Sequence, residues 1–182
     1  MIIPEFIRNI YNRYYTGQKT LLATVLIHSE QVARKALECA GRKFPLSNLE
    51  FIYTASMLHD IGVIKCNAPA IGCHGDKPYL CHGVEGRLIL EAEGMPDHAL
   101  VCERHTGAGL TKDEIEKSGL PLPARDMLPL TIEEKVICYA DSFFSKSGDL
   151  TREKTIEEVK NDMLRHGEEV YKRFMDLHSL FS

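Results

Sequence analysis

Along most of this chain apolar residues recur at three- and four-residue intervals, the spacing that gathers them on one face of a helix. The clearest stretch runs from about Lys19 to Gly41, where Leu22, Val25, Leu26, Ser29, Val32, Ala33, Ala36 and Leu37 share one side. Pro4 suits the first turn of an earlier helix, residues 4–15, closed by Thr16-Gly17. Ser47-Asn48-Leu49-Glu50 has capping-box spacing and predicts a helix starting at Ser47 and running through Phe51, Ala55 and Leu58. His82 opens a helix to about Glu93, and Pro96 starts a short one that delivers His105. Two more capping boxes, Thr111 with Glu114 and Thr131 with Glu134, predict helices to about Ser118 and Lys146. A last stripe, Ile156, Val159, Met163, Val170, Phe174, Leu177 and Phe181, predicts one helix over 151–180, packed across the domain or against a second copy in a homodimer.

No alternating run bounded by turn residues stands out, so little or no β-sheet is expected. The fold class predicted is all-α, a compact helical bundle. Residues 1–182 form a single domain with its core at about 20–150, and the first and last helices pack on it. Two segments interrupt the helices. Pro69, Gly72, Gly75 and Pro78 keep 63–81 irregular, and Pro121, Pro123 and Pro129 do the same for the crossing from Gly119 to Pro129. The first lies between two histidine-bearing segments, which suggests a lid or recognition loop as much as a plain connection.

Composition narrows the setting. A net charge of −4 offers no broad basic surface, so no nucleic-acid partner is expected. The first residues lack a basic region followed by an apolar run, and no stretch approaches the ~18 apolar residues of a membrane span. A cytoplasmic chain with no membrane partner is expected. Six cysteines without a C-x-x-C pair then read as free thiols. Cys66, Cys73 and Cys81, near His74, read as loop packing, with a structural zinc or redox role as the alternative.

The chemistry lies in the order His28, His59-Asp60, His82, His105, Asp141. Imidazole nitrogen and carboxylate oxygen are the ligands divalent transition metals take at catalytic sites. Six are more than one ion needs if positions stay open for water and substrate. They suit two ions sharing a bridging carboxylate, a device for phosphoester hydrolysis. A lone inward histidine is usually a hydrogen-bonded core residue. An aspartate behind an apolar run is harder to explain, because ionised carboxylates are rarely buried unpaired.

Five segments carry a family resemblance: Val25-Leu26-Ile27-His28-Ser29, His59-Asp60-Ile61-Gly62, His82-Gly83-Val84-Glu85-Gly86, the run ending at His105, and the run ending at Asp141. In this order the chain resembles the HD superfamily of metal-dependent phosphohydrolases over roughly residues 20 to 150. The resemblance implies a helical fold in which His28, His59, Asp60 and Asp141 form a common metal site. His82 and His105 would hold a second ion, with Asp60 bridging. A metal-bound hydroxide would then cleave a phosphomonoester or phosphodiester of a small nucleotide or related metabolite, with His59 and Asp60 in the catalytic apparatus. Iron or manganese is the first expectation for the two ions, with zinc or nickel as alternatives. The cyclic-dinucleotide phosphodiesterases of the superfamily carry a lysine after the H-D-I-G string and a G-Y-P element. Here Val63 follows Gly62 and G-Y-P is absent, which argues against those substrates. A di-iron oxygenase and a non-catalytic nucleotide-binding module are the competing readings.

Phosphate also needs positive charge beyond the metals. Lys65, Arg104 and Arg125 are the candidates placed in the catalytic set, with Arg87 and Lys146 behind them. Arg87 and Lys146 each lie five residues beyond a ligand, about 140° around an ideal helix from it. Ser142 and Ser145 are candidates for hydrogen bonds to substrate. His74 is placed at the entrance, and His98, His166 and His178 read as surface or structural residues.

Overall fold

The computed structural model describes residues 2–182, and helices dominate it. The chain begins with α1 (Glu5–Tyr14), α2 (Lys19–Lys43) and α3 (Leu49–Leu58). After the segment that follows α3 come α4 (His82–Ala92), α5 (Pro96–Arg104), α6 (Lys112–Lys117) and α7 (Ile132–Asp141), then α8 (Ile156–His166) and α9 (Glu168–Phe181). Helix α2 packs on α3 and α7, and α4 packs on α5. The all-α expectation holds, with one small addition in 63–81.

That addition is a three-stranded sheet. Strands β1 (Cys66–Ala68), β2 (Cys73–His74) and β3 (Lys77–Pro78) lie in the order β2-β1-β3. β1 pairs antiparallel with β2, Asn67 opposite His74, and parallel with β3, Cys66 opposite Lys77. Short 3-10 turns at Ile61–Lys65, Pro69–Ile71 and Tyr79–Cys81 frame it. The strands are too short to show a hydrophobic period, so the prolines and glycines were the only signal of this segment. Cys66 and Cys73 are buried in its packing, and all six cysteines are free thiols.

Two apolar clusters share α2. One gathers Ile7, Tyr11, Val25, Leu58, Ile61 and Leu90, and the other Val32, Ile52, Ile137, Phe143, Phe174 and Phe181. His28 lies on α2 between Val25 of the first cluster and Val32 of the second.

Four helix boundaries differ from the sequence expectation, the simplest being the start of the last helical run at Ile156, capped by Thr155, in place of 151. The expected last helix is two, broken at Gly167, whose φ of +122° a side chain would resist. The apolar stripe runs on unbroken because Val159, Met163, Val170 and Phe174 all pack into one cluster. Helix α7 stops at Asp141, short of Lys146. The N–H groups of Phe143 and Phe144 close a tight turn on the carbonyls of Ala140 and Asp141, and both rings are buried. The cap of α3 is Asn48, whose Oδ1 accepts from the Phe51 N–H at 3.0 Å, while Ser47 donates its hydroxyl to the Phe44 carbonyl.

Candidate metal centre

Helix ends bring the polar side chains together. His59 follows the last residue of α3, and Asp60 is next in the chain. His82 is the first residue of α4, His105 caps α5, and Asp141 ends α7. Only His28 projects from mid-helix. Gly62 holds this convergence by lacking a side chain, not by a left-handed turn. Its φ is not positive; instead a Cβ there would overlap the backbone of His82 and Gly86. Gly83 and Gly86 in turn lie against Cys102 of α5. The glycines let the turn after Asp60, α4 and α5 approach at backbone distance.

Three of the four histidines are oriented the same way. Nδ1 of His59 lies 2.6 Å from the Ser56 carbonyl, Nδ1 of His82 2.8 Å from Tyr79 O, and Nδ1 of His105 2.7 Å from Cys102 O. A carbonyl only accepts, so each Nδ1 carries the proton and donates it. Each Nε2 is left as the nitrogen that faces the centre and can take a metal in place of a proton, which is how protein groups orient a metal-binding imidazole.

Those Nε2 atoms surround Asp60. His28 and His59 each approach Oδ2 at 3.2 Å, and His82 and His105 approach Oδ1 at 3.5 and 3.6 Å. Asp141 Oδ1 lies 2.9 Å from His28 Nε2 and 3.4 Å from His59 Nε2. Among the described residues two ligand groups result: His28, His59, Asp60 and Asp141, and Asp60, His82 and His105, with ligand atoms within 4.8 Å of one another. Asp60 belongs to both.

The donor set fits divalent metal ions. His28, His59 and Asp60 are fully buried, yet Asp60 Oδ1 has no hydrogen bond, only the Nε2 atoms of His82 and His105 at 3.5 and 3.6 Å. Buried polar atoms normally have partners, and atoms left without one mark a bound ion or a catalytic role. The electrostatics agree. Burial would push the Asp60 carboxyl up, but His59 and Lys146 hold it well below its ordinary range. Burial likewise opposes ionisation of Asp141, and Lys146 and His28 overcome it. Burial would lower His59, but Asp60 and Asp141 hold the imidazole up to about 10. Burial and the facing His105 push His82 down to about 3.

The centre forms one wall of a cavity of about 420 Å³. His82, His105 and Asp141 line it beside Tyr79, Ser142 and Lys146. The lining also includes Lys154, Arg165 and the exposed His166. Asp162 pairs with both Lys154, at 3.0 Å, and Arg165, at 2.8 Å.

The other candidates lie elsewhere. Lys65 is exposed on the turn before β1. Arg104 makes two 3.0 Å hydrogen bonds to Glu134. Arg125 and Arg87 converge on buried Glu103, each at 2.5 Å. None of these four lines the cavity. Lys146 does, because α7 ends before it and the helical angle no longer applies. Ser142 lines the cavity and donates to Cys138 O, while Ser145 bonds Ser147 beside a neighbouring cavity. His74 is exposed, His98 bonds Thr54, and His178 bonds Tyr139. Tyr79, Lys154, Arg165 and His166 had no sequence signal, since their approach depends on how 63–81, the segment after α7 and α8 fold over the centre.

Residues 25–145 match the HD domain family. A 115-residue stretch is 40% identical to an uncharacterized protein of Methanocaldococcus jannaschii, covering 63% of this chain and 60% of that protein. Two proteins named tRNA (cytidine(56)-2'-O)-methyltransferase are also similar. That of Picrophilus torridus is 30% identical over 77% of this chain and 37% of its own length. That of Thermoplasma volcanium is 28% identical over 81% of this chain and 39% of its own. The chain thus spans less than two-fifths of either methyltransferase. No solved structure matches. No helix among the described residues is long and apolar enough to cross a membrane.

Proposed function

The chain belongs to the HD domain family, and on that footing we propose that it is a metal-dependent phosphohydrolase acting on a phosphomonoester or phosphodiester of a small nucleotide or related metabolite. The observation that carries the reading is Asp60, one buried carboxylate common to two groups of metal-ligating side chains at the wall of a cavity. Bound divalent ions supply an activated water and neutralise phosphate charge. His28, His59, Asp60 and Asp141 would hold one ion and Asp60, His82 and His105 the other. Iron or manganese suits this mixture of imidazole and carboxylate, with zinc or nickel as competitors.

The protein's own contribution is orientation and exclusion of water. The Ser56, Tyr79 and Cys102 carbonyls fix the imidazole rings. The aromatic rings of Tyr79 and Phe144 form cavity wall beside the centre. The cavity volume falls in the range of small-molecule sites, which supports a nucleotide-sized substrate. Two relatives are named for action on tRNA, which puts nucleotides and short RNA phosphoesters at the front of a substrate panel.

The test is direct. Metal-stripped protein is reloaded with Mn²⁺ and assayed against nucleoside monophosphates, cyclic monophosphates and short diesters, beside Asp60→Asn. Phosphate release by the loaded protein, absent in the variant, is expected. No hydrolysis across the panel by fully loaded protein would falsify the reading.

A further inference from the structure

The nearest cation to the centre belongs to the chain itself. Lys146 Nζ lies 2.7 Å from Asp60 Oδ2, with its side chain only 13% exposed. It touches the one carboxylate that both ligand groups share. We infer that Lys146 is a stand-in cation: it neutralises the buried carboxylates of the metal-free chain, yields Asp60 to divalent ions, and then positions the phosphate of the substrate. The last part rests on the phosphohydrolase reading; the first two do not.

Three observations carry this. First, Asp60 is fully buried and Asp141 is mostly so, and a buried carboxylate without a cation is strongly unfavourable. Lys65, Arg87, Arg104 and Arg125 do not supply one, being exposed or paired to other carboxylates. Second, an ammonium and a divalent ion on the same carboxylate oxygen repel each other, so an ion arriving at Asp60 drives the ammonium away. Third, Lys146 has somewhere to go. It sits beyond the end of α7, in a non-helical segment tied back by the Lys154 N–H on the Phe143 carbonyl at 2.8 Å. It lines both the cavity of the centre and its neighbour, and the two meet at Tyr79, Phe144 and Lys146. A short swing of a long side chain keeps the charge in the space where a phosphate must sit. A lysine suits this role because its ammonium is a compact charge on a flexible stem.

The test uses chelator-stripped Lys146→Ala and Lys146→Gln beside the unmodified protein. Three quantities are read: the unfolding temperature without metal, the affinity for Mn²⁺ by calorimetry, and the affinity of the Mn²⁺-loaded protein for inorganic phosphate. Both variants are expected to unfold at lower temperature without metal, with the deficit shrinking in saturating Mn²⁺. Both are expected to bind Mn²⁺ about tenfold tighter or more, roughly 1.4 kcal/mol, because no ammonium has to be displaced. Phosphate affinity is expected to fall about tenfold in both and to be largely retained in Lys146→Arg. Should the alanine variant not fold without metal, the glutamine variant, which keeps the bulk and a hydrogen-bonding head, carries the measurement. Unchanged or weaker Mn²⁺ binding overturns the stand-in role. Unchanged phosphate affinity overturns the positioning role. Tighter Mn²⁺ binding in a protein that hydrolyses no phosphoester would sink the phosphohydrolase reading and leave the stand-in role intact.

Discussion

The Nε2 atoms of His82 and His105 face each other at 3.0 Å. Both rings donate Nδ1–H to a backbone carbonyl, which leaves both Nε2 atoms facing the centre. Burial, together with His105, keeps His82 neutral at ordinary pH. Two ring nitrogens held this close need a cation between them, a proton or a metal ion. The histidines are therefore better arranged to bind an ion than to be a satisfied core.

This arrangement separates the effects of single substitutions. His82→Ala or His105→Ala is expected to lower the metal content from about two ions per chain to about one, since the first group of ligands stays complete. Asp60→Asn is expected to weaken both ions, because Asp60 is common to the groups. Elemental analysis after exhaustive dialysis reads this directly. Two ions retained in the His82 variant would mean the ring only packs.

Gly62→Ala is expected to destabilise the fold by about 1–3 kcal/mol or more. The added methyl would overlap the backbone of His82 and Gly86, and backbone cannot step aside as a side-chain end can. Because the displaced element carries His82, the variant should also bind its second ion more weakly. Urea unfolding with and without Mn²⁺ checks both. Unchanged stability would show that α4 has room to retreat.

Glu103 ties the proline-rich crossing to the helices. It is buried, and Arg87 and Arg125 each reach it at 2.5 Å. Glu103→Ala is expected to cost about 1–3 kcal/mol, since charge-assisted bonds to both guanidinium groups disappear. Arg125→Ala is expected to cost less than ~1 kcal/mol, because that side chain is half exposed and Arg87 still satisfies the carboxylate. Equal losses in urea unfolding would contradict this ordering.

Glu114 gives acid sensitivity to the contact between α6 and α9. Burial would raise its carboxyl, but the Thr111 backbone N–H and Arg173 outweigh it, and the group is held below the usual value of 4.5. A depressed carboxyl stabilises above its unfolded value and loses that contribution as pH falls through the folded value. The unfolding temperature of Glu114→Gln should therefore lie below that of the unmodified protein at pH 7. The gap should narrow as pH drops below 4.5 toward 3. A gap that stays constant across this range would mean the carboxylate charge contributes nothing.

The candidate ligand residues were legible in the chain. The order and motifs of His28, His59, Asp60, His82, His105 and Asp141 carry the family resemblance that implies them, and the structure gathers all six. The helices were legible too, since a repeat near 3.6 residues survives any tertiary arrangement. Capping boxes at Thr111 and Thr155 are made in full, and the Thr111 box was plain in the spacing. The end of α7 was not legible. Helix propensity does not stop at Asp141; burial of Phe143 and Phe144 stops it. That single turn decides that Lys146, set aside on helical geometry, meets Asp60.

What the sequence by itself determined is the set of elements and the kind of chemistry, because periodicity, caps and ligand types are local properties of the chain. What only the tertiary structure decided is which charges share a space. Arg104 and Arg125 pair with Glu134 and Glu103, residues distant in sequence. Lys146 turns onto Asp60, 86 positions earlier in the chain. Whether a cation serves a carboxylate that packs the fold or one that binds a metal depends on long-range approach within a few ångströms. Packing sets that approach, and no local pattern encodes it.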